Sequence, residues 1–203
     1  MKCFHWLKRE EQERRKDGRA SSLEVQATFA EQRDYLHWIA LLITADDARA
    51  GQAVVDASEL AAGGSGVFRD WLIQWAKYAT ARAAIRAVRD VISASARGYE
   101  NSSCEHTNDE VLSDDQIRSL RHIDPRDIIA ALDPLARSAL VLRGLQRISI
   151  SDCALLLDVP RRCVANAYSR ACEWNTDRES AHKPSSAGRV SAGIPYALAG
   201  AHR

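Results

Sequence analysis

Apolar residues recur at spacings of three and four over most of the chain, and β-branched runs alternating every second residue are scarce, so the pattern predicts helices. The first stretch is "LEVQATFAEQRDYLHWIALLI" at 23–43, where Phe29, Arg33, Leu36, His37 and Ala40 fall at helical spacing on a broad apolar face. "DDARAGQAVVDASELA" at 46–61 predicts the next helix, and "AAGGSG" at 61–66 stops it, because clustered glycines leave the backbone too free. "VFRDWLIQWAKYATARAAIRAVRDVISASA" at 67–96 is long enough for one helix of about seven turns. Stepping about 100° per residue, Leu72, Ala76, Ala79, Ala83 and Ala87 share one side of it. Trp71, Trp75, Tyr78, Arg82, Arg86 and Arg89 share the adjacent side, with Trp71 expected to be buried.

"RGYENSSCEHTNDEVLSDDQ" is polar, acidic and weakly periodic, and predicts a linker. Beyond it, "DPLARSALVLRGLQR" at 133–147 is amphipathic, with Leu135, Ala139, Leu142 and either Leu145 or Leu140 on one face. Asp133 suits the cap and Pro134 the first helical position. "SISDCALLLD" at 149–158 predicts a short helix with Ser149 or Ser151 as its cap. Asp158-Val159-Pro160 ends it, since a residue before proline is pushed out of the helical region. A last helix opens at Arg161, with Val164, Ala167, Tyr168 and Ala171 facing inward and Arg161, Arg162, Ala165, Asn166, Ser169 and Arg170 facing outward.

The expected architecture is all-α, with two small helical modules joined by a flexible acidic linker. A charged tail spans 1–20, one module 21–97, the linker 98–123, the second module 124–174, and a disordered Ser-, Gly- and Ala-rich tail 175–203.

Composition changes this picture little, but charge does. The net charge of +1 hides a segregation: residues 69–97 carry six basic and two acidic side chains, whereas 21–68 carry two and seven. The 5 cysteines are odd in number and lack C-x-x-C spacing, which suits a reduced, cytoplasmic protein. The start, "MKCFHWLKREEQERRKDGR", has no signal-peptide core, and no segment has the roughly 18 apolar residues of a membrane span. Catalysis finds little footing. "GGSG" lacks a following Gly-Lys-Ser/Thr, the six histidines are scattered, and Cys104-Glu105-His106 lacks a second ligand pair. No catalytic residue, metal or cofactor is expected.

Nucleic-acid chemistry fits better. Two short helices around a tight turn can place the second in a major groove. There Arg162 could read guanine and Asn166 adenine, with Arg161, Ser169 and Arg170 beside them; the leading arginines serve equally well as phosphate contacts. The competing reading is a helical hairpin in a bundle with solvated arginines. On the earlier long helix, Trp75 and Tyr78 are candidates to stack on unpaired bases, with Arg82, Arg86 and Arg89 along phosphates.

"LDPLARSALVLRGLQRISISDCALLLDVPRRCVANAYSRA" resembles region 4 of bacterial sigma factors, especially the extracytoplasmic-function group. Leu132, "VLR" at 141–143, Ser149 with Ala154, Val159-Pro160 and Arg170-Ala171 carry the likeness. The family usually has Gly where Asp158 stands, and Lys-Ser-Arg where Ala165-Asn166-Ala167 stands. "FRDWLIQWAKYATARAAIRAVRD" is similar to the family's region 2 helix. In segment 45–60, Asp46, Asp47 and Gln52 stand where the family contacts the polymerase clamp, with Arg49 and Gly51 at positions usually acidic and apolar. The resemblance implies a factor that takes core RNA polymerase to promoter DNA and answers to an anti-sigma factor. A degenerate sigma-like regulator that does not support initiation is the alternative.

Overall fold

The computed structural model describes residues 18–62, 67–100 and 111–182. Among them every regular element is helical, and one isolated bridge pairs Arg19 with Phe68. The helices are α1 (Ser22–Glu31), α2 (Arg33–Thr44), α3 (Asp47–Ala62), α4 (Leu72–Ala87), α5 (Arg89–Ala96), α6 (Asp114–Arg121), α7 (Pro125–Ala131), α8 (Pro134–Ala139), α9 (Ile150–Leu157) and α10 (Arg161–His182). No helix among the described residues is long and apolar enough to cross a membrane.

The chain enters α1 through a capping box. Ser21 Oγ accepts from the Glu24 N–H, and the Glu24 carboxylate accepts from the Ser21 N–H at 2.8 Å. The same carboxylate receives Arg69 Nε at 2.6 Å and Nη2 at 3.1 Å, which ties α1 to the 3₁₀ turn Arg69–Trp71 ahead of α4. The Arg69 guanidinium and the Ser21 N–H hold the Glu24 carboxyl down at about 2. Gly18, at φ 64, lets the chain turn so that its carbonyl accepts from the Arg69 N–H.

Two cores divide the predicted first helix. Gln32 leaves helical geometry and separates α1 from α2. Val25, Phe29 and Leu36 bury against Ala57, Ala61, Leu72, Ala76 and Ala79 in the smaller core. Ile39, Leu42 and Ile43 enter a larger core that runs through α5 and α8 to Tyr168 on α10.

The single long helix expected over 67–96 is interrupted twice. It begins as a 3₁₀ turn, and at Val88 the backbone moves to φ −130, ψ 20, ending α4. Val88 is buried at this bend, which directs Ile92 and Ala96 of α5 into the larger core beside α8.

Part of the expected linker is packed. The turn Arg97–Tyr99 buries Tyr99, and α6 opens with a Ser113–Gln116 capping box and buries Leu120. Residues 101–110, most of the acidic stretch, lie outside the described residues, as do most of the charged tail, the Gly-Gly-Ser-Gly segment at 63–66 and the tail from 183. Residues 175–182, expected in that tail, continue α10, and Asn175 is buried because this turn still lies over the core.

The second half follows its local signals. Asp133 caps α8 by accepting from the Leu135 and Ala136 N–H groups, with Pro134 next. Beyond α8 the chain widens into a π turn, Leu140–Leu145, where Gln146 N–H reaches the Val141 carbonyl. Ser149 caps α9, and Asp158 ends it in the left-handed region at φ 57, ψ 46.

Candidate nucleic-acid interface

Helix α10 leaves the Asp158–Pro160 turn with Arg161 and Arg162 in its first turn, both exposed. Neither meets a carboxylate within ion-pair distance among the described residues. Free N–H groups and the positive end of the helix dipole add to their charge, so this end attracts anions.

The middle of α10 differs from expectation. Residues 163–169 are buried one after another, so neighbours cover this part of the helix on most of its circumference. Asn166 is only 7% exposed and Ser169 6%, and neither stands on the outward face assigned to it; Ala165 is buried as well. The cause is tertiary: α8, α9 and the Arg97–Tyr99 turn all pack on α10. Its small side chains, Ala165, Ala167, Ser169 and Ala171, permit that approach. Ser169 Oγ has no hydrogen-bond partner.

Arg170 is exposed at the rim, with Nη1 3.6 Å from Asp133 Oδ2. Asp133 gathers a network around that pair. Ser95 donates to it at 2.6 Å and Tyr99 donates its hydroxyl. Burial alone would raise the Asp133 carboxyl; hydrogen bonds from Ser95, Tyr99 and the backbone N–H groups of Ala136 and Leu135 outweigh burial and hold it below its ordinary range. Burial, reinforced by Asp133, pushes the Tyr99 phenol upward. An open cleft of about 640 Å³ lies here, lined by Ser95, Tyr99, Asp133, Asn166, Ser169 and Arg170.

The stripe on α4 is a real surface over part of its length. Arg82 and Arg86 are exposed, and neither has a carboxylate partner among the described residues. Arg89 falls beyond the bend, on α5, and its Nη1 lies 3.7 Å from Asp158 Oδ2, at the turn before α10. Trp75 is half-buried, edge-on to Phe29 at 6.4 Å, and Tyr78 is half-buried. Trp71, expected inside, is 70% exposed, because the 3₁₀ turn takes it out of helical phase with the buried stripe.

Asp46, Asp47 and Gln52 are all exposed at the start of α3. Asp46 also works locally, capping the helix through the Arg49 N–H at 2.8 Å. Asp47 lies 3.4 Å from His37 Nε2, and Gln52 donates to Asp56 at 2.7 Å.

Residues the sequence left unassigned include Arg137, only 6% exposed, which donates to the carbonyls of Leu42 at 2.8 Å and Leu132 at 2.6 Å and so joins α8 to α2. Cys153 and Cys163 are buried and unpaired, and burial pushes the Cys153 thiol up to about 12, which keeps it protonated and inert. Among the described residues no group of three or more His, Cys, Asp or Glu side chains could hold a metal. Compared with protein-family models, with curated proteins and with solved structures, the chain has no match.

Proposed function

We propose that the protein is a DNA-binding transcription initiation factor of the sigma type, in which α9, the Asp158–Pro160 turn and α10 form a helix-turn-helix. The observation that carries this reading is the pair Arg161 and Arg162, exposed and without carboxylate partners at the N-terminus of α10, directly after a left-handed turn. Arg82 and Arg86 on α4 supply a second open basic surface of the kind that follows a nucleic-acid backbone. Exposed Asp46, Asp47 and Gln52 are available to a polymerase.

The buried middle of α10 favours a second reading. With Asn166 and Ser169 enclosed, this form of the chain holds DNA through phosphates and leaves base edges unread. That behaviour, together with Arg49 between Asp46 and Gln52, suits a degenerate sigma-like regulator that does not support initiation.

The test is to mix the purified chain with core RNA polymerase, measure complex formation, and assay run-off transcription from a promoter library. A complex that starts transcription supports the initiation reading. Duplex binding without a polymerase complex moves the protein to the regulator reading. Binding to neither removes both.

A further inference from the structure

Two cations meet over one ring at the junction of α2, α4 and α6. Lys77 Nζ lies 5.2 Å from the centroid of the Tyr35 ring, and the Arg121 guanidinium carbon lies 4.2 Å from it. Tyr35 in turn stacks on Trp38, with centroids 5.8 Å apart and planes 18° apart. The ring's negative face offsets part of the positive charge, but neither cation has a carboxylate partner within ion-pair distance among the described residues.

The arrangement is costly as it stands. Lys77 is half-buried, and burial first, then the charge of Arg121, lowers its ammonium below the ordinary range. The Trp38 indole N–H, a group that only donates, is buried with no acceptor. Two like charges therefore meet over one ring with no carboxylate supplied among the described residues. An oxyanion held by both cations would neutralise them.

We infer that Lys77 and Arg121, meeting over the Tyr35 ring on which Trp38 stacks, form a phosphate-binding site. A phosphate group suits it because its several acceptor oxygens can take a guanidinium fork and an ammonium together. The phosphate belongs either to a nucleic-acid backbone or to a free phosphate or nucleotide. None of these four side chains is among those that support the proposed function, and α10 takes no part, so the site stands or falls apart from the duplex interface.

The experiment uses the full chain and two probes, inorganic phosphate and a fluorescein-labelled single-stranded oligonucleotide. The Trp38 indole N–H resonance is followed by NMR during phosphate titration, and oligonucleotide binding by anisotropy across salt concentrations. The site predicts a shift of the indole proton on phosphate addition, because its ring stacks on the Tyr35 ring that both cations approach. It also predicts that the double variant Lys77→Gln/Arg121→Gln loses this shift and lowers the salt slope by about 0.7, the value for one phosphate contact on single strands. Arg161→Gln/Arg162→Gln should leave the indole shift intact. Should the double variant fold poorly by circular dichroism, Arg121→Gln alone, at an exposed position, gives the reading with a smaller slope change of the same sign. A response to both probes makes the phosphate group sufficient, and a response to the oligonucleotide alone assigns the site to a polymer backbone. An unmoved indole resonance with unchanged slopes overturns the proposal, as does equal competition by an oligo-aspartate peptide.

Discussion

Helices α4 and α10 carry the same kind of pattern, a small-residue stripe beside a polar, arginine-bearing one, yet their polar stripes meet different fates. On α4, Arg82 and Arg86 look into solvent. On α10, Arg161, Arg162 and Arg170 are exposed, but Asn166 and Ser169 between them are enclosed. Periodicity identifies which side chains share a face. It does not say how many faces are covered, because that depends on neighbours distant in sequence. Positions held by long arginines resist cover; those held by Ala, Ser and Asn accept it.

Four changes break or sharpen this contrast. The largest effect is expected from Arg137→Ala, which leaves the carbonyls of Leu42 and Leu132 without their donor inside the larger core. Losing charge-assisted bonds to buried carbonyls should cost about 3 kcal/mol, read as a lowered urea midpoint. Asp133→Ala removes the α8 cap and the acceptor shared by Ser95, Tyr99 and Arg170. It should cost about 2 kcal/mol and raise hydrogen exchange around Asn166 and Ser169, since it loosens their cover.

Asn166→Ala tests the contrast at its centre. If Asn166 is a packed residue, its loss should cost about 1–2 kcal/mol in stability and leave the ratio of specific to random duplex binding unchanged. A base-reading Asn166 would give the opposite result, with stability kept and specificity lost.

Acid should act on both halves together. Glu24 and Asp133 have carboxyls held below their ordinary range, so their stabilisation is present above the unfolded values, about 4 for such groups, and is lost as pH falls through the folded ones. Unfolding free energy should therefore decline on acidification from about pH 4.5 toward about 2. Glu24→Gln should flatten part of that decline, by a modest amount because its side chain is partly solvated.

Much of this was legible in the chain for a physical reason. Asp133-Pro134, Ser149 and Asp158-Val159-Pro160 act through groups a few residues away, so local chemistry is enough to place them. The buried set Val164, Ala167, Tyr168 and Ala171 follows from helical spacing alone. The bend at Val88 was not legible, because α8 supplies the surface that receives α5. Helix α6 was hidden by its acidity, although the Ser113–Gln116 box marks its start. Arg137 counts as basic in any charge tally and yet spends its charge on carbonyls, one of them as far back as Leu42. At the candidate interface, the exposed arginines were found and the covered polar residues were not, which is the same division between local and distant causes.

The most direct test of the account is the salt dependence of duplex DNA binding by the intact chain and by Arg161→Gln/Arg162→Gln. Two phosphate contacts at the start of α10 predict that the slope of log affinity against log salt falls by about 1.8, from roughly 0.9 per contact. An unchanged slope would contradict the account and place DNA, if it binds at all, away from this helix.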